Sequence, residues 1–127
     1  MQKKYWGICV ALLLPIQAKA IGYSDTYLTC MNSAGSNTTS ISSCMKDEFN
    51  VQDDRMKSLF KKTLDLYTDK EKKEQKKYQK TWLKMRSDQC DKSQKSVSSD
   101  YAMKYYNCAL KQTLTRANML EKLTYRL

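Results

Sequence analysis

The chain has 127 residues, with 23 Lys and Arg against 13 Asp and Glu, no His, and a formal net charge of +10. That length suits one domain and leaves no room for several. The missing histidine removes the commonest general base and metal ligand, and the basic balance points toward anionic or acidic partners.

The first residues read MQKKYWGICVALLLPIQAKA. Lys3 and Lys4 form a positive start, an apolar stretch follows at positions 7–16, and Ala18-Lys19-Ala20 supplies a small-x-small cleavage pattern. This is the layout of a signal peptide. A membrane helix would need about twenty apolar residues, and Pro15 interrupts a stretch only about half that long. Cys9 lies inside the apolar stretch, which is the wrong place for a lipoprotein cleavage box. The expected organisation is a signal peptide over residues 1–20 and a domain over 21–127 without a transmembrane segment, delivered to the periplasm or secreted. Cleavage would take Lys3, Lys4 and Lys19 and leave the product still basic.

Past the leader stand Cys30, Cys44, Cys90 and Cys108. An even number of cysteines in a short exported chain points to disulfides, with three pairings open. The gaps between neighbours are far longer than the two to four residues of a tetrathiolate zinc site, so no metal and no cofactor is expected.

Beyond the leader, Lys, Leu, Met, Gln and Glu abound, no Pro occurs, and helical periodicity dominates. A short first helix is expected over 24–32, with Tyr23, Tyr27 and Cys30 on one side. The polar run 32–39 reads as a loop, after which Thr38 or Thr39 caps a longer helix reaching Tyr67. Its buried stripe runs through Ile41, Cys44 or Met45, Phe49, Met56, Leu59 or Phe60, Thr63 or Leu64, and Tyr67. Thr68-Asp-Lys-Glu71 has the form of a capping box. It either starts a third helix or lies within one continuous long one. Tyr78, Trp82, Met85 and Gln89 then share a face, and Arg86 and Cys90 extend the Trp82 line. Residues 93–99 read as a Ser-rich loop. Ser99 or Asp100 caps a last helix with Tyr106, Leu110, Thr113, Ala117 and Leu120 inward and Tyr101, Tyr105 and Cys108 beside them. In this layout Cys30–Cys44 and Cys90–Cys108 each close a helix–loop–helix corner. The expectation is an all-α fold: a small bundle of three to four helices, joined by short loops and stapled by two disulfides.

Two charge clusters are candidate binding patches. Asp47, Glu48, Asp53 and Asp54 form an acidic one, and Lys70, Lys72, Lys73, Lys76, Lys77 and Lys80 form a basic run holding only two Glu. A charge run is usually a solvated helix face; its functional reading is contact with an anionic surface or polymer. No nucleic-acid module is present, and nucleic acid is not an expected partner.

The segment from Gln79 to Cys90 carries Q-x-x-W-x-x-x-R-x-x-x-C on Gln79, Trp82, Arg86 and Cys90. It resembles the core of the lysozyme inhibitor LprI-like N-terminal domain family. Cys108, Thr113, Arg116, Ala117 and Leu120 are similar to that family's second signature. The stretch from Asp53 to Phe60 is similar to its D-x-x-L-N-x-x-Y pattern, with Met56, Lys57 and Phe60 in place of Leu, Asn and Tyr. The loop before Cys108 is Ser- and Lys-rich where relatives carry a Gly-rich turn. The resemblance implies an exported, disulfide-bearing helical domain and suggests a lysozyme, or another envelope or host protein, as partner. Within it, Trp82 is read as core. Arg86 is read as pairing with Asp53 or Asp54, Arg116 as making a similar ion pair, and Gln79 as bonding to a nearby backbone or loop.

Catalysis is not expected. No Ser or Cys has a base beside it, and adjacent Asp53 and Asp54 project about 100° apart on a helix, unlike a working carboxylate pair. The functional expectation is a non-enzymatic interaction domain, either like a lysozyme inhibitor of the envelope or a basic accessory protein binding an anionic surface or host molecule.

Overall fold

A computed structural model describes residues 22–126, so the signal-peptide reading lies outside the described residues. Four α-helices follow one another: α1 (Asp25–Ala34), α2 (Thr38–Leu64), α3 (Asp69–Gln89) and α4 (Ser99–Tyr125), with a single 3-10 turn over Lys92–Gln94. Each helix starts at a side-chain cap that accepts an otherwise unpaired backbone N–H. The caps are Ser24, Asn37, Thr68 and Ser98. Two of them differ from the expectation, Asn37 standing in for Thr38 or Thr39 and Ser98 for Ser99 or Asp100. In each case the residue that caps is the one holding extended backbone before the first helical turn. Thr68 does form the capping box with Glu71. With the turn bonds from Asp65, Leu66 and Tyr67 back to the end of α2, it separates α2 from α3 without Gly or Pro.

α2 and α4 run parallel. Thr39 meets Ser99 at 3.0 Å near their starts and Thr63 meets Thr124 at 2.8 Å near their ends. They are the closest pair because α4 offers α2 a ridge of small residues, Ala109, Thr113 and Ala117, all with no exposed surface. α3 runs antiparallel to both, with Gln79 beside Met56 and Arg86 beside Asp53. One apolar cluster joins Met56 and Leu59 of α2, Trp82 of α3, and Ala117 and Leu120 of α4. A second joins Cys90, Tyr105, Tyr106 and Ala109, with Met45 and Phe49 packed on it.

α1 buries no residue of its own. Its attachment is covalent and electrostatic. Cys30 is bonded to Cys44, and the Ser24 N–H and Oγ donate to the Glu48 carboxylate at 2.9 and 2.6 Å. The second disulfide, Cys90–Cys108, closes the corner between α3 and α4. Both corners turn on a positive φ: Asp91 after α3 takes the left-handed helical conformation at φ 57° and ψ 56°, and Gly35 after α1 holds φ 57° with ψ −120°, which a residue without a Cβ adopts readily.

The two staples therefore do different work. Replacing Cys90 and Cys108 together with Ser should lower global unfolding stability by about 3 kcal/mol, measured by denaturant titration. Replacing Cys30 and Cys44 together should mainly remove hydrogen-exchange protection from α1. Collapse of protection across α2 and α4 in that second variant would contradict the layout.

Candidate functional site

α3 is the most polar helix, burying only Gln79, Trp82 and Arg86. These recur at intervals of three and four, one stripe of a helix, and they face the α2–α4 pair. Arg86 is 8% exposed, and its Nη1 donates to Asp53 Oδ1 of α2 and to Thr113 Oγ1 of α4, each at 2.7 Å. Its guanidinium carbon lies 5.0 Å from the Phe49 ring and 5.3 Å from the Trp82 ring. The Nε is buried without a partner among the described residues. The choice between Asp53 and Asp54 thus falls to Asp53, which is also held by Lys57 at 2.7 Å. Burial alone would push the Asp53 carboxyl up. Hydrogen bonds and charge from Lys57 and Arg86 overcome this and hold it below the ordinary carboxylate value.

Arg116 of α4 departs from expectation. It is 6% exposed, yet it pairs with no carboxylate among the described residues. Its Nε and Nη2 donate instead to Gln79 Oε1, at 3.2 and 2.8 Å. The guanidinium sits 5.1 Å from the Tyr78 ring and 5.7 Å from the Trp82 ring. Burial pulls its pKa below the ordinary arginine value, with Tyr78 and Tyr67 opposing in part. Trp82 is core as read, and it lies between two arginines. Gln79 bonds to side chains, not to backbone or a loop: it accepts from Arg116, and its Nε2 donates toward the Met56 sulfur at 3.3 Å. Thr113 and Ala117 complete the layer as the fully buried surface of α4.

The acidic patch does not exist as a surface. Glu48 and Asp53 are buried, the first holding Ser24 and Gln52 and the second holding Arg86 and Lys57. Only Asp47 and Asp54 are exposed. The basic run behaves differently. Lys70, Lys73, Lys76, Lys77 and Lys80 are all exposed, and none lies within ion-pair distance of a carboxylate among the described residues. Lys72, by contrast, faces Asp69 at 3.8 Å.

Tyr78, Met85 and Gln89, expected to share a face with the core residue Trp82, are exposed. With Trp82 they form one wall of an open trough of about 460 Å³, whose other wall is Lys111, Thr115 and Met119 of α4. Reading the spacing identified the shared face, and nothing in the spacing reveals whether another element covers it. Among the described residues no group of three or more His, Cys, Asp or Glu could hold a metal ion. Among them, too, no helix is long and apolar enough to cross a membrane.

The model of the family described as lysozyme inhibitor LprI matches residues 30–120, most of the chain. The chain belongs to the lysozyme inhibitor LprI family. No curated relative and no solved structure matches it. The LprI match opens at Cys30 and ends at Leu120, the last buried residue of α4, so it takes in both disulfides and the whole arginine layer.

Asp53→Ala leaves the Arg86 charge buried without a carboxylate and should cost about 3–5 kcal/mol in unfolding free energy. Arg86→Met with Asp53→Leu should recover most of that loss, as read by chemical denaturation. The pH response derives from the depressed Asp53 carboxyl. Its contribution is complete above the unfolded carboxylate value and fades as pH falls through the lower folded one. The stability difference between the native chain and Asp53→Asn should therefore shrink only in strong acid. A difference already gone at mildly acidic pH would count against the pairing.

Proposed function

We propose that the protein is an exported binding domain that inhibits a lysozyme, with the exposed lysine face of α3 as the contact surface. The leader pattern supports export, and so do two disulfides, which persist in oxidising compartments. Membership of the LprI family supports the target class.

The observation that carries the reading is a set of exposed lysines on one rigid helix with no ion-pair partner among the described residues. Lys73, Lys77 and Lys80 repeat at intervals of four and three, so their charges form a ridge about 10 Å long. Glycoside-cleaving clefts hold a pair of carboxylates flanking the scissile bond. A lysine ridge is complementary to such a cleft and could block it without chemistry of its own. Lysozymes are commonly basic, so the chain's own positive charge opposes long-range approach. That opposition is screened beyond about 8 Å at physiological salt, and contact is decided inside that distance. α3 is held by a disulfide and by the Arg86 layer, so little ordering is left to lose on binding.

The purified protein should slow lysozyme-driven lysis of cell walls at near-stoichiometric concentration. Lys73→Glu, Lys77→Glu and Lys80→Glu together should weaken inhibition at least tenfold while circular dichroism stays unchanged. Undiminished lysis at a large molar excess of protein would overturn the proposal. The same exposed lysines favour a second reading, attachment to an anionic surface. It predicts cosedimentation with anionic vesicles that falls steeply as salt is added; binding indifferent to salt would remove it.

A further inference from the structure

The trough between α3 and α4 lies on a different side of α3 from the lysine ridge. Its walls are open and mostly apolar: Tyr78 is 55% exposed, Met85 42% and Met119 43%, and with Trp82 they line the trough beside Gln89, Lys111, Gln112 and Thr115. Apolar side chains clustered on a surface mark a place meant to be covered, and flexible Met suits ligands of irregular shape.

The charge of the trough has one sign. Among the described residues no Asp or Glu lines it, while Lys111 stands on one wall and Arg116 lies between the walls. Arg116 is more than nine-tenths buried, its Nε and Nη2 are taken by Gln79, and its Nη1 makes no hydrogen bond among the described residues. That nitrogen is not sealed from solvent, so the guanidinium, beside a neutral amide and aromatic rings, keeps a donor for an arriving carboxylate, which would supply what Asp53 supplies to Arg86. The dimensions also fit a small ligand. The space of about 460 Å³ is within the range of small-molecule sites. From Tyr78 to Gln89 the wall runs about 16 Å at the helical rise, and a Gln112–Gln89 hydrogen bond of 3.1 Å spans one end.

We propose that this trough binds a single-chain carboxylate amphiphile of about a dozen carbons, a length set by the helical rise along the wall. Its carboxylate sits on Arg116 with Lys111 in support, and its hydrocarbon lies along Tyr78, Met85 and Met119. Binding there is independent of the lysine ridge, and either site can fail without the other.

Trp82 and Trp6 are the only tryptophans in the sequence, so Trp6→Phe in the full chain makes Trp82 the sole indole reporter. Dodecanoate, kept below its aggregation threshold, should shift Trp82 emission saturably with one molecule per chain. Dodecyltrimethylammonium, with the same tail and the opposite charge, should bind at least tenfold more weakly. Met119→Glu and Lys111→Glu change exposed side chains and should each weaken dodecanoate at least tenfold with unchanged circular dichroism. Lys73→Glu, Lys77→Glu and Lys80→Glu together should leave it unaltered. Equal affinity for the two amphiphiles, or the absence of a saturable shift, would overturn the proposal. So would an emission shift driven by protein concentration alone, which would show a second copy covering the trough.

Discussion

The guanidinium of Arg86 touches three of the four helices, α2, α3 and α4. It reaches Asp53 of α2, Thr113 of α4 and the Trp82 ring of its own helix. α3 has little else to hold it, because its remaining buried side chains are Trp82 and Gln79. A buried ion pair of this kind offers little net stability over an apolar replacement of the same shape. Its effect is on alternatives. Sliding α3 by one turn would leave Arg86 buried without a carboxylate and Asp53 with only Lys57 of its own helix, at a cost of several kcal/mol. The pair therefore sets the register of a helix whose apolar surface is too small to set it alone, and the Cys90–Cys108 bond holds the same register from one end.

The architecture also accounts for the trough. α4 spends its small-residue ridge, Ala109, Thr113 and Ala117, on close contact with α2. Toward α3 it presents Arg116 and Met119, and α3 answers with Tyr78, Trp82 and Met85. Bulky side chains on both sides keep those backbones apart and leave space between them. The two arginines differ in consequence. Arg86, on the α2 side of Trp82, has a carboxylate, whereas Arg116, on the trough side, has only Gln79 and two aromatic faces.

Much of this was legible in the residues, and the parts that were not have physical reasons. Helix positions, the capping box at Thr68 and the closure of two corners by disulfides stem from spacing and local chemistry, which the chain carries in full. Cap identity slipped by a residue at Asn37 and Ser98 because runs such as Ser36-Asn37-Thr38-Thr39 offer several competent caps, and only backbone conformation selects one. Asp53 was separable from Asp54 by phase, since Phe49, Asp53 and Met56 fall on one stripe. The acidic patch was misleading because a run of carboxylates states charge and not direction. Glu48 and Asp53 turn inward to partners on α1 and α3 that are distant in sequence. The partner of Arg116 was hidden for the same reason.

α3 is thereby divided into three sides. Gln79, Trp82 and Arg86 face the α2–α4 pair, Tyr78 and Met85 face the trough, and Lys73, Lys77 and Lys80 face solvent. The attaching positions are the ones that carry the family signature on this helix, and they need only three side chains. Leu83 adds a partly buried contact to the core, while exposed positions such as Lys73, Lys77 and Lys80 take no part in the contacts that place the helix. An interaction domain needs that separation, because a surface can be fitted to a partner only where fitting does not unfold the scaffold. The lysine ridge and the exposed trough residues Tyr78 and Met85 occupy positions of that freer kind, while Trp82 and Arg116 at the trough's base belong to the layer that holds the fold.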